Sequence, residues 1–156
     1  MSTPTFDELG NLTPYEVMEM SLDAFEAHFV IAFPESTTRK PIFDAYRQCL
    51  TQLQGLIGGG FTQWVDGSFV TRKLNPRDLD LVTFLEIDRY ERAQVPLDEL
   101  RWGRIKKNSL TDGYFLFVRP EGHPYRSTYE SDRADWFRHF KWGRNHRPKG
   151  WIELKF

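Results

Sequence analysis

Cysteine is nearly missing from this sequence. Cys49 stands alone, which excludes an internal disulfide framework and a cysteine-built zinc site within one chain. There is no excess of charge of either sign: 21 Lys and Arg face 22 Asp and Glu, for a formal net charge of -1. The overall balance therefore does not mark a nucleic-acid or membrane-surface binder, and any basic patch must be local. No apolar run approaches the roughly 20 residues that cross a bilayer, and Met1 is followed by polar and acidic residues rather than a basic and then apolar leader. Repeats and low-complexity tracts are missing too. These absences lead us to expect a soluble protein in a reducing, cytoplasmic setting with no membrane partner.

What is present suffices for one core. A chain of 156 residues with 40% hydrophobic content predicts a single domain over 1–156, with 1–20 as an extended lead-in punctuated by Pro4, Gly10 and Pro14 and turning at Asn11. Ser21 is placed to cap a short helix over 22–29, which Pro34 ends. Over 41–57, Ile42, Phe43, Tyr46, Leu50, Leu53, Leu56 and Ile57 recur three or four apart and predict an amphipathic helix. Gly58, Gly59 and Gly60 stop it. No Lys-Ser or Lys-Thr pair follows with P-loop spacing, so the glycines read as a helix stop and not a phosphate loop.

Further on, residues 61–66, 79–85, 114–118 and 151–156 read as strands. Between them lie a short helix over 69–73, a helix from Pro96 to about Lys107, and one carrying Tyr129, Trp136, Phe137 and Phe140 on one side. Strands interleaved with helices indicate an α/β fold of the α+β type, a mixed sheet flanked by helices.

Two short motifs carry the chemistry. Asp78 and Asp80 stand two apart on an expected strand, which sends both carboxylates to one face. Such a pair calls for a cation, and Mg²⁺ commonly takes one or two carboxylates plus substrate phosphates. A bare Asp-x-Asp is as readily an acidic strand end in water. Upstream, Gly67-Ser68 closes the preceding strand, where glycine permits close backbone approach to a phosphate and a helix starting at Ser68 adds favourable dipole. The order strand, Gly-Ser, short helix, Asp-Leu-Asp strand links the two motifs into one candidate site.

With Val65-Asp66-Gly67-Ser68 followed by Asp78-Leu79-Asp80-Leu81-Val82, the chain resembles the DNA polymerase β-like nucleotidyltransferase superfamily. More narrowly, it is similar to small bacterial and phage-associated nucleotidyltransferase-like proteins, a likeness that extends to Phe6-Asp7-Glu8-Leu9-Gly10-Asn11-Leu12 and Arg147-Pro148-Lys149-Gly150-Trp151. The resemblance implies a polymerase β-like core and transfer of a nucleoside monophosphate from an NTP to a hydroxyl on RNA, protein or a small molecule. It also implies Mg²⁺ or Mn²⁺ held by Asp78, Asp80 and a third carboxylate. The family pattern places that third group at Asp112, with Glu153, Glu86 and Asp88 as competitors.

On the same footing, two ions about 4 Å apart would bridge the carboxylates and the triphosphate. Gly67 and Ser68 would orient the β and γ phosphates. Arg72 and Lys73 are candidates to neutralise pyrophosphate, against the alternative of a solvated basic face. The segment 133–149 is locally basic and interleaved with Trp136, Phe137, Phe140 and Trp142; it reads either as a nucleic-acid track or as an amphipathic helix with its aromatics inward. Lys149 is its first candidate ligand. His123, His139 and His146 lack a metal-binding spacing and receive no ligand role. So small a chain leaves room for a homodimer or partner protein to complete the cleft. Outside catalysis, two readings stand: a nucleotide-sensing interaction protein, in a toxin–antitoxin or phage-defence context, and a nucleic-acid-binding module.

Overall fold

The computed structural model describes residues 3–100 and 110–156. Three short strands open the chain: β1 (Thr5–Phe6) and β2 (Leu12–Thr13) pair antiparallel, and β3 (Val17–Glu19) joins the main sheet. The lead-in is thus partly built into the fold. Asp7 holds its turn, its Oδ1 accepting from the amides of Leu9 at 2.9 Å and Asn11 at 2.8 Å.

Helix α1 (Leu22–Glu26) is capped by Ser21, whose hydroxyl accepts from the Ala24 amide at 3.1 Å, and it runs on as a π-helical stretch, Ala27–Ile31. Helix α2 (Arg39–Ile57) follows, ending at Gly58 with φ +72°. Next come β4 (Thr62–Asp66), a single 3₁₀ turn over Ser68–Val70, β5 (Leu79–Glu86), α3 (Ile87–Arg92) and α4 (Gln94–Leu100). Residues 101–107 of the helix expected after Pro96 lie outside the described residues. Beyond them are β6 (Thr111–Val118), α5 (Arg126–Lys141) and β7 (Trp151–Lys155).

The five-stranded sheet runs β3-β7-β4-β5-β6 and is mixed: β3–β7 and β5–β6 are parallel, and the two central pairings antiparallel. Alternation along the strands divides its side chains between two faces. Val65, Leu79, Leu81, Leu85, Ile152 and Leu154 pack on one side with Phe25, Phe29 and the α2 stripe of Ile42, Phe43, Tyr46, Leu50 and Leu53. Full burial of each such side chain contributes roughly 1.5–3 kcal/mol. The polar atoms inside this layer pair with one another. Tyr46 donates to Gln63 at 2.6 Å, and Gln63 donates to Thr83 at 3.0 Å.

On the opposite face a smaller cluster joins Trp64, Val82, Leu116 and Trp151 to Phe140 of α5. The sheet is therefore covered on both sides, and α5 lies over the face that carries Asp66, Asp80 and Asp112. No helix among the described residues is long and apolar enough to cross a membrane.

Candidate active site

Register brings three carboxylates into a row. Asp66, the last residue of β4, pairs with Asp80 of β5, and Asp80 pairs with Asp112 of β6. Residues facing each other across a ladder send their side chains to the same side, so the three stand abreast at one end of the sheet. Asp78 lies one residue before the β5 ladder, beside this row, and its charge acts on Asp80. The expected strand placement of Asp78 thus falls short by one residue.

Gly67 is what lets the row close. Its φ is +75°, and a Cβ built there would lie 1.8 Å from Asp80 Oδ2. Both observations require glycine, because the backbone passes directly against the Asp80 carboxylate. The helix after it is shorter than the sequence suggests: a single 3₁₀ turn over Ser68–Val70, closed by Thr71, whose hydroxyl donates to the Ser68 carbonyl at 2.7 Å. So short an element has little dipole to offer a phosphate, since the macrodipole sums over aligned peptides.

Over the row opens a cleft of about 590 Å³, walled by Asp66, Gly67, Asp80, Asp112, Tyr114 and Leu81 from the sheet side. Asp135, Trp136, His139 and Phe140 of α5 form the facing wall, and Trp142, Gly143, Arg144 and Lys149 the rim. The rim segment is a tight hairpin. Trp142 bridges Pro148, Gly143 N–H donates to Arg147 O at 2.8 Å, and Lys149 N–H donates to Lys141 O at 3.0 Å. From it Lys149 reaches down, its Nζ donating to Asp66 Oδ2 in a largely buried ion pair.

The electrostatics follow from this crowding. Burial pushes the Asp80 carboxyl up to about 7, helped by the charges of Asp78, Asp112 and Asp66 and opposed by Lys149. Burial also raises Asp66 above the usual carboxylate range, against the pull of Lys149 and His139. Asp66 Oδ1 is buried with no hydrogen-bond partner among the described residues. The buried Asp66 Oδ1 and the crowded Asp80 carboxylate are oxygen donors that could hold a divalent cation, which would relieve the repulsion at Asp80. Among the described residues no three acidic, His or Cys side chains converge tightly enough to cage an ion alone, so substrate oxygens would fill out an Mg²⁺ shell.

Other expected site residues fall elsewhere. Arg72 ties down the lead-in, its amide donating to Gly10 O at 2.9 Å and its Nη2 to Glu8 O at 3.0 Å. Lys73 is exposed, and its carbonyl accepts from Arg39 at 2.5 Å. Neither is among the residues that line the cleft, nor are Ser68 and Asp78. Glu153 accepts from Trp64 Nε1 at 2.8 Å, while Glu86 closes the far end of β5 with Asp88 just beyond. Of the aromatics in 133–149, Phe140 is buried, Trp136 packs on Tyr114 at 5.1 Å, and Phe137 meets Trp151 edge-on at 5.1 Å, as an inward-facing amphipathic helix requires.

His139, which has no metal-binding spacing in the sequence, lines the cleft without a ligand role, and neither Asp66 nor Trp142 is marked by a motif of its own. For Asp66 the sequence offers only the two-residue period Thr62, Trp64, Asp66, which sets its face of β4; the register with β5 puts that face beside Asp80. No motif marks Arg39 either. Its buried guanidinium donates to the carbonyls of Phe29, Phe69, Thr71 and Lys73 at 2.8, 2.6, 2.8 and 2.5 Å, and so fixes the loop that follows Gly67. Phe33 lies against that guanidinium at 3.8 Å.

The chain belongs to a family of unknown function, DUF6932, whose family model matches residues 4–155. Comparison with curated proteins gives no significant match, and neither does comparison with solved structures.

Proposed function

We propose that this member of a family whose chemistry is open is a metal-dependent nucleotidyltransferase on a polymerase β-like core. The observation that supports the reading most is the alignment of Asp80 with Asp112 on one side and Asp66 on the other, directly against Gly67. A turn that needs glycine and a row of carboxylates meet on the wall of one cleft, which suits a triphosphate presented to a cation.

Asp78, Asp80 and Asp112 would hold Mg²⁺ or Mn²⁺. When bound, the ion supplies charge neutralisation and polarisation of the phosphoryl oxygens. In the transfer an acceptor hydroxyl oxygen attacks the α-phosphorus of an NTP, and the bond from that phosphorus to the bridging oxygen of pyrophosphate breaks. The hydroxyl proton would pass to a carboxylate, and Asp112, the ladder neighbour of Asp80, is our candidate for that role. Lys149 supplies positive charge at the same end of the cleft, where phosphate oxygens would compete with Asp66 for its ammonium. The acceptor class, RNA, protein or small molecule, stays open because a fold does not set its substrate.

The test is incubation with labelled NTPs, Mg²⁺ and cell extract. The wild type should label an acceptor and the Asp78→Ala/Asp80→Ala protein should not; equal labelling by both would overturn the assignment.

A further inference from the structure

We infer that Trp142 is a stacking platform for the nucleobase of the bound nucleotide, an inference that rests on the nucleotide reading above. Among the described residues, Trp142 is the one large apolar side chain that both lines the cleft and stands exposed, at 47% of its surface. Its aromatic neighbours on α5 are committed to packing. Trp136 lies 5.5 Å from Phe140, and Phe137 lies against Trp151. Trp142 belongs to neither buried cluster.

The exposure is not that of a loose chain end. Trp142 caps α5 at φ -114° and ψ 119°, then bridges Pro148, and the amide of Lys149 returns to Lys141 O at 3.0 Å. The hairpin so formed holds the Trp142 backbone at the rim of the cleft. It also ties Trp142 to Lys149, whose ammonium marks the phosphate end of the cleft at Asp66. Lys141 Nζ stands 6.0 Å from the indole centroid. An exposed aromatic ring and a cation with carboxylates, all lining one cleft, match the two halves of a nucleoside triphosphate, and about 590 Å³ accommodates one.

Stacking on an aromatic ring accepts any base, because each has a π face; the platform should therefore favour nucleotides over bare triphosphate far more than one base over another. Purines, with the larger face, should hold modestly better than pyrimidines.

The experiment is calorimetric titration of the wild-type, Trp142→Phe and Trp142→Ala proteins with ATP, UTP and inorganic triphosphate, each with Mg²⁺. Stacking of one base typically accounts for about a tenfold change in affinity on truncation to alanine. Trp142→Ala should weaken ATP about tenfold and leave inorganic triphosphate unchanged, with Trp142→Phe recovering most of the loss. Unchanged ATP affinity in Trp142→Ala, or equal weakening of ATP and triphosphate, would overturn the platform while leaving the nucleotide site standing. Failure of the wild type to bind any of the three would overturn the nucleotide reading itself, and the platform with it. Melting curves of the variants separate loss of the platform from loss of the fold.

Discussion

A Cβ on Gly67 would lie 1.8 Å from Asp80 Oδ2, so the turn after β4 and the carboxylate on β5 occupy adjoining space with no room for a methyl group. The left-handed φ of +75° adds a second reason for glycine at the same position. The phosphate-loop candidate and the metal-ligand candidate of the sequence are thus one packed unit, and a change in either disturbs the other.

Gly67→Ala should accordingly cost at least about 2 kcal/mol of stability, from overpacking and from strain at positive φ. Urea unfolding monitored by tryptophan fluorescence would show it as a lower midpoint with the slope retained. The proposed transfer activity should fall as well, because the displaced group is Asp80.

The raised Asp80 sets a pH dependence for the metal-free protein. With its carboxyl near 7 when folded and at the ordinary carboxylate value when unfolded, the native state binds the extra proton between about pH 4 and 7. Protons bound in excess by the native state mean that stability falls as pH rises through this window and levels off above it. Melting temperatures from pH 5 to 8 without divalent cations should decline, and Asp80→Asn should flatten that decline. A melting temperature that climbs over this range would contradict the crowding of the four aspartates.

Lys149 and Asp66 give a third prediction. Lys149→Met leaves a carboxylate with 4% side-chain exposure and no ammonium beside it. Breaking a buried pair from one side costs about 3–5 kcal/mol, and the residual solvent at Lys149 argues for the lower end. Asp66→Asn combined with Lys149→Met should restore part of the loss, and the coupling can be read from a double-mutant cycle in urea.

Arg39 supports the site from behind. Its guanidinium lies among carbonyls with no carboxylate partner among the described residues, and burial pulls its pKa down to about 10. Arg39→Met leaves the four carbonyls of Phe29, Phe69, Thr71 and Lys73 without this donor, and each orphaned group costs about 1–3 kcal/mol. Severe destabilisation should follow by thermal melting, and Arg39→Lys should rescue it only in part, because an ammonium cannot reach four acceptors in the plane that a guanidinium spans.

The local pattern carried most of the fold. The α2 stripe, the Ser21 cap and the apolar strands were readable because periodicity and capping act within a few residues. Boundaries slipped where long-range pairing extends an element: β6 begins at Thr111 rather than 114, which brings Asp112 into the ladder beside Asp80. The lead-in concealed β3 because its hydrogen bonds go to β7, far along the chain. For the candidate site, motif and charge point to Asp80 and Lys149, which line the cleft, and to Asp78, which lies just before β5 and does not. They do not point to Asp66, because an aspartate before glycine reads as a turn former until the register with Asp80 and the partner 83 positions away are known. Arg72 misled for the converse reason, a cation near the motif whose fork is occupied by the lead-in.

The place of β7 bears on how the molecule is made. Emerging from a ribosome, the chain delivers β3 and β4 long before the strand that lies between them. Until Trp151–Lys155 arrive, those two strands present open edges and β3 has no partner in the sheet. The same stretch of synthesis brings Lys149 to Asp66 and seats Gly150 under Pro14, whose carbonyl a side chain there would strike at 2.3 Å. Sheet closure and cleft assembly are one late event, so a nascent chain stalled before residue 149 would hold its carboxylate row without its cation and expose the strand edges that chaperones shield.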